Sequence, residues 1–391
     1  MPKLSYKGRI HRQKFSARSL RYIAADQLAR TFPALQRRWM FPVEAVPIAE
    51  AASGCQRFDT VTVDGELPPE LVHLFPGRKL PIQIAQNVFT LRDVTVTGQA
   101  GAMMRGGKLL AVRGHHNWAI SLRPRPFRER QLSPDRTYYN LISPVPARGH
   151  IFHWLFDFVL PLITWLEMRS GGEPLTLLVN AERLAFQNLT LDALLALYPC
   201  LALEPVGEAE AVTTPHLIAS VFTPHKPRAL QTPAALARLS TLAETIAARE
   251  PSATPRRFFI SREDAKLRRV LNESEVLARL EPAGFERVIL KGMPPARQVK
   301  LFRDAEAVFS PHGAGLAHIA WCKPGTSIME VFPSPDGPRG RPRNATDNFW
   351  LISTMRQLKY RVAFGGPTLN SRDGFEIPVS CFEPALSDLA D

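Results

Sequence analysis

The stretch Ser310-Pro311-His312-Gly313-Ala314-Gly315-Leu316-Ala317-His318 sets a glycine-rich turn between an apolar run, Ala305 to Phe309, and a helix-like run, Leu316 to Trp321. Glycine lets a ligand come close to the backbone, and the first turn of a helix offers unpaired N–H groups, so such a turn suits a phosphate. Glu330 follows in Ser327-Ile328-Met329-Glu330-Val331-Phe332-Pro333, at the end of the next expected strand. A carboxylate placed there can accept both hydroxyls of a ribose. An anion cradle at His312, Gly313, Ala314 and Gly315, with a ribose acceptor at Glu330 one βαβ step on, points to a nucleotide diphosphate site.

Two further sets of residues carry chemistry. Arg262 directly follows the expected strand Arg257 to Ser261, where open α/β sheets place ligands. A guanidinium fixed there would stabilise a departing diphosphate more than the bound ground state. Arg269, further along the charged run, could assist it or pair with Glu273, whereas Lys266 and Arg268 read as a solvated charged surface. His153 and Asp157 are spaced i, i+4 and share a helix face among the apolar residues Ile151, Phe152, Leu155 and Phe158. Asp157 could hold His153 in a useful tautomer, or either could take a proton from an attacking hydroxyl. His115-His116-Asn117 reads equally as a ligand contact or a turn, and His318 as a structural histidine. There is no Asp-x-Asp and no His/Cys/Asp cluster with ligand spacing, so no divalent metal is expected.

These residues need strands and helices to position them. Short β-like runs (Phe58 to Val63, Val88 to Leu91, Val94 to Thr97, Leu109 to Val112) are punctuated by Gly and Pro and predict a β-rich lobe over 40–145. An αβ series follows: helix His150 to Arg169, strand Leu175 to Val179, helix Leu184 to Leu197 and strand Leu217 to Phe222. A connecting helix over 230–250 leads to a second series. It has strand Arg257 to Ser261, helix Ser274 to Leu280, strand Phe285 to Leu290 and helix Pro294 to Asp304. The glycine turn, strand Ile328 to Phe332 and a late helix, Phe349 to Leu358, complete it. The expected fold class is α/β: two facing doubly wound, Rossmann-like domains with an N-terminal β-rich lobe. The expected division is a basic arm at 1–40, the β-rich lobe with an α/β acceptor domain at 41–228, and a nucleotide-binding α/β domain at 229–391.

Length and composition agree with a globular chain of about two domains. It has 391 residues, 45% of them hydrophobic, and a mean hydropathy of −0.10. No membrane span or secretory signal is expected. The four cysteines are far apart and read as reduced thiols in a cytoplasmic protein. Ten Lys or Arg and one acid in residues 1–38 supply +9 of the net charge of +13. Such an arm could lie on an anionic membrane surface, which would put the protein peripherally at the inner membrane face, or it could pack on its own protein. Nucleic acid is not an expected partner, because no basic motif is interleaved with aromatic residues.

Phe-His-Trp-Leu-Phe-Asp (152–157), Phe-Ile-Ser-Arg-(x)6-Arg-(x)2-Asn-Glu (259–273), Pro-His-Gly-Ala-Gly-Leu (311–316) and Glu-Val-Phe-Pro (330–333), in this order, resemble glycosyltransferase family 61. The resemblance implies a GT-B-like fold and metal-independent, inverting transfer. The donor would be a nucleotide sugar, expected to be UDP-linked, with no separate cofactor. The acceptor would be a hydroxyl of a glycan or lipid-linked molecule in surface polysaccharide synthesis. By position it assigns Arg262, Gly313, Gly315 and Glu330 to the donor nucleotide, and His153 and Asp157 to the acceptor side. Where the family often has Tyr before His-Trp, this chain has Ile151-Phe152, which removes a hydroxyl. A nucleotide-binding scaffold without transfer activity, in an envelope-assembly complex, is the alternative of a different class. It would have no need of His153 or Asp157.

Overall fold

The computed structural model describes residues 45–64, 66–75, 78–111, 128–143, 149–169, 172–223, 229–265, 268–334, 346–367, 374–383 and 386. The basic arm, His115-His116-Asn117 and Lys266 lie outside the described residues. Among the described residues the fold is mixed α/β, with 17 strands in three sheets.

The first sheet joins β1 (Ala45–Pro47), β6 (Lys108–Ala111), β5 (Met103–Arg105), β4 (Val94–Thr97), β11 (Glu210–Thr214) and β7 (Arg128–Gln131), in that spatial order. The second runs β10 (Leu201–Val206), β9 (Leu175–Asn180), β8 (Tyr138–Asn140), β12 (Leu217–Thr223), β3 (Ala85–Leu91), β2 (Gly54–Asp59). Its first four strands are parallel, and β3 and β2 are added antiparallel. The β-like runs of 40–145 therefore do not keep to a sheet of their own. They are shared between these two sheets, because β3 pairs along its whole length with β12.

The third sheet is wholly parallel: β14 (Glu286–Val288), β13 (Arg257–Ile260), β15 (Ala307–Pro311), β16 (Ser327–Phe332), β17 (Lys359–Phe364). Counted from β13, the order is second, first, third, fourth, fifth. The direction of winding reverses between β13 and β15, and such a switch point leaves a crevice beyond the carboxyl ends of both strands. Ser261-Arg262 and His312-Gly313 emerge there. β15 is buried throughout and β16 nearly so, as apolar strands covered on both faces must be.

Among the described residues, two short helices precede the long ones, α1 (Ile48–Ala51) and α2 (Pro69–Leu74). α3 spans Ile151–Met168, and its middle, Trp154–Val159, is a π turn. The cause is local. Pro161 has no N–H, and in an α-helix its ring would collide with the carbonyl four residues back. The widened turn avoids this by letting the Leu160 N–H donate to the Leu155 carbonyl. The Phe156 carbonyl then faces a proline at i+5, and the buried Gln231 Nε2 donates to it instead, at 3.4 Å. Gln86 Nε2 donates to the Pro161 carbonyl at 2.7 Å. By length and composition α3 is apolar enough to cross a membrane, but here 61% of it is buried within the protein.

α4 (Ala185–Leu197) follows β9, and α5 (Pro233–Ala247) carries the chain to the third sheet. Thr232 caps α5, its Oγ1 accepting the Ala235 N–H at 3.3 Å, with Pro233 in the first turn where no donor is missed. α5 packs on α3, α4 and α7 (Pro295–Asp304). The first turn of α3, Ile151–His153, packs on the 3-10 helix Ala314–Trp321 that follows the glycine turn. One apolar core thus runs from Trp154 and Leu239 to Phe302, Trp321 and Phe332. α6 (Glu273–Leu280) and α8 (Asn348–Met355) complete the third layer.

Most expected elements fall within a few residues of those observed. Phe58–Val63 moves back to β2, because Thr60 is buried and leaves the ladder to bond Ile84. Leu316–Trp321 forms 3-10 turns, beginning with Leu316 N–H to the Gly313 carbonyl at 3.0 Å. The strands β1, β5, β7, β8, β10, β11 and β17 had no counterpart in the sequence pattern.

Candidate active site

The π turn places Asp157 one turn beyond His153, and His153 Nδ1 lies 2.9 Å from Asp157 Oδ2. The carboxylate side chain is 6% exposed and the imidazole 26%. The pair therefore presents a histidine outward, backed by a buried acid. His150, at the start of α3, brings its ring to 4.8 Å from that of His153. Loss of water, then the neighbouring His153, pushes His150 down to about 4, against the pull of Asp157, so it is neutral near pH 7. Its Nδ1 is buried without a hydrogen-bond partner among the described residues. Phe152 stacks on Phe156 at 4.8 Å and walls this side.

At the switch point, Arg262 occupies the space over Gly313. A Cβ at 313 would come within 2.0 Å of Arg262 Nη1. The Gly313 backbone is extended (φ 177°), so room for the guanidinium, not backbone freedom, requires glycine here. Gly315 likewise makes way for Leu290, whose Cδ1 would lie 2.9 Å from an added Cβ. Ala314 opens the 3-10 helix and is exposed.

Arg262 Nε donates to the Arg268 carbonyl at 3.2 Å. Burial, then the charge of Arg268, holds the Arg262 guanidinium down to about 10, against the opposing pull of Asp264. Burial also lowers Arg268, with Glu330 acting in the other direction. Arg268 Nη1 is buried and has no hydrogen-bond partner among the described residues. Burial makes both guanidinia costly to keep charged, and a bound anion would offset that cost, which suits a phosphate site.

Arg268, read from sequence as a solvated charge, is therefore inside the cluster, and Arg269 is outside it. Arg268 has a left-handed backbone, φ +58°, which turns the chain so that the Arg269 side chain is exposed. The Arg269 backbone carbonyl accepts the Phe375 N–H at 2.9 Å. Nor does Arg269 hold Glu273, which takes Ser261 Oγ at 2.6 Å and Arg287 Nε at 2.8 Å. Those bonds fix the end of β13 and so the base of Arg262.

Glu330 also departs from expectation. Its carboxylate is fully buried, with one oxygen bonded to His312 Nδ1 and the other to the Tyr360 hydroxyl. Neither oxygen is offered to a ribose in this arrangement. His312 stacks on Phe332 at 4.5 Å and lies 5.5 Å from Phe349. His318 is buried against Phe302, ring centroids 5.1 Å apart, and loss of water pushes it down to about 4. It takes no part in the cluster.

The structure thus brings Arg262, Arg268, His312, Gly313 and Glu330 together. It keeps His153 and Asp157 on the helix whose first turn packs behind the glycine turn. Sequence reasoning missed Tyr360, His150 and Gln231. A period-two pattern in Lys359–Phe364 could have marked β17 and hence Tyr360; nothing local marks Gln231 as a π-turn partner. Among the described residues, no group of three His, Cys, Asp or Glu side chains could hold a metal ion.

Residues 151–329 match the family model described as Glycosyltransferase 61. The matched segment includes His153, Asp157, Arg262, Arg268 and the glycine turn, and stops one residue before Glu330. No curated protein matches the chain.

Proposed function

Through residues 151–329 the chain belongs to glycosyltransferase family 61, and from that premise we propose that it is an inverting transferase moving a sugar from a nucleoside-diphosphate sugar to an acceptor hydroxyl. The observation that carries this reading is Arg262, held over Gly313 at the switch point, with the largely buried Arg268 bonded to it through its carbonyl. They would receive the diphosphate together with the 313–315 backbone and the 3-10 helix behind it. Because arginines supply the positive charge, transfer needs no divalent ion. The third sheet would act as the donor domain and the second, with α3, as the acceptor domain, in a GT-B-like pairing.

His153 is the proposed base. It is the more exposed member of its pair, and Asp157 at 2.9 Å would orient it and stabilise the imidazolium. The acceptor hydroxyl gives its proton to His153 and attacks the anomeric carbon. The bond to the diphosphate breaks on the opposite face, and its electron pair leaves with the nucleotide. A UDP-linked donor and a glycan or lipid-linked acceptor are the substrates this reading favours.

The test is incubation of the protein with UDP-, GDP-, CDP- and ADP-sugars, following released nucleoside diphosphate by chromatography. One donor class should turn over, unaffected by EDTA, and Asp157→Asn should slow release by about a hundredfold or more. Release from no donor, or an Asp157→Asn variant as fast as the parent, would contradict the reading.

A further inference from the structure

The buried carboxylate of Glu330 calls for an explanation of its own. It sits in the middle of the third sheet, on β16, between Ser310 of β15 and Val362 of β17. It is fully buried, and a carboxyl group there is costly unless its oxygens are hydrogen-bonded. Its two bonds are directional. Tyr360 comes from β17, where burial, then the Glu330 charge, raises its phenol well above the usual range, so its O–H donates to the carboxylate. His312 comes from the end of β15, where Phe332 stacks on its ring. The Tyr360 hydroxyl donates to one carboxylate oxygen, and the other is left to accept from His312. His312 Nδ1–H is then committed to Glu330, and Nε2, at the opposite edge of the ring, is the atom left for a ligand. His312 directly precedes Gly313, over which Arg262 is held.

We propose that Glu330 and Tyr360 are positioning residues for His312, fixing its ring so that Nε2 meets the diphosphate held by Arg262 and Arg268. The proposal rests on the donor-site reading above. It replaces a ribose contact by Glu330 with an action at the phosphates, two bonds away through an imidazole. In this arrangement the ribose is held by other groups. A diphosphate oxygen accepts a hydrogen bond from Nε2–H while Nδ1–H is donated to Glu330 beneath it.

The experiment is a double-mutant cycle read by calorimetric titration, first with the nucleoside diphosphate that best protects the parent protein and then with inorganic pyrophosphate. His312→Gln and Glu330→Gln should each weaken the nucleoside diphosphate by about tenfold or more, the range expected for a hydrogen bond to a charged group. The double variant should be no weaker than either single one, because Glu330 acts through His312. Pyrophosphate should weaken by the same factor. Losses that multiply in the double variant would overturn the proposal. So would a Glu330→Gln variant that loses nucleoside diphosphate but keeps pyrophosphate, which would return Glu330 to the ribose. Should Glu330→Gln not fold, Tyr360→Phe takes its place. It should weaken both ligands severalfold in the parent and have no effect in the His312→Gln background, and equal effects in both backgrounds would overturn the proposal. If the parent binds neither ligand, the donor-site reading has failed first and the relay falls with it.

Discussion

A single methyl group at position 313 would occupy the space that Arg262 Nη1 fills, 2.0 Å from an added Cβ. The obstructing atom is the tip of a flexible side chain, so Gly313→Ala should fold with little change in melting temperature. The displaced guanidinium should cost about tenfold or more in nucleoside diphosphate affinity, measured by titration. Unchanged affinity would mean that Arg262 does not act from this position. The neighbouring arginines teach a related lesson. The placement of Arg262, His312 and the glycine turn at strand ends was legible in sequence, because a strand end and a glycine pair are local signals. Which of Arg268 and Arg269 turns inward was not. The choice is made by the left-handed residue at 268 and by pairing of the next residues with Phe375, a partner more than 100 residues away. Arg268→Ala should therefore lose nucleotide binding and Arg269→Ala should retain it, and the reverse result would restore the register read from sequence.

At the scale of elements, α3 was legible as a helix from His150 to Arg169, and its π turn was not. The turn depends on Pro161, which the sequence displays, but also on Gln231, which comes from a loop before α5 to satisfy the Phe156 carbonyl. The reading also ended at the helix over 349–358, before β17, so Tyr360 and its bond to Glu330 were out of reach. π turns recur at functional sites because they re-aim a side chain. With Pro161→Ala the regular i, i+4 bonds become available, and the helix can rewind and turn Asp157 away. The expected outcome is a kcat lowered about tenfold or more with no fall in melting temperature. A fall in both together would assign Pro161 to stability alone.

Over the whole molecule, one core joins the second and third sheets. Arg356 ties it further by donating to the Leu236 and Cys322 carbonyls and to Ser240 Oγ. The α/β class and the two αβ series were legible from alternating strands and helices. The sharing of early strands between two sheets was not, since it rests on long-range pairing. The half-buried His150 and the buried His318, both neutral near pH 7, give the fold a definite pH dependence. Both are held down to about 4 from an ordinary value of 6.5. Between pH 6.5 and 4 the unfolded chain binds protons that the folded protein refuses, so stability falls as pH is lowered through that window. For His318 alone the loss is on the order of 3 kcal/mol at the acid end. His318→Phe keeps a ring against Phe302 and should flatten the melting temperature between pH 7 and 4.5. An equally steep curve would mean that His318 is not the group responsible.

The central claim is that Arg262 and Arg268 hold a diphosphate beside the glycine turn. The most direct measurement is thermal protection of the full chain by UDP, GDP, CDP and ADP, compared with Arg262→Ala and Arg268→Ala. A ligand that binds only the folded state must raise the melting temperature. One diphosphate should protect the parent protein, the corresponding monophosphate should protect it less, and neither variant should respond. Protection that survives loss of both arginines, or no protection by any diphosphate, would contradict the claim.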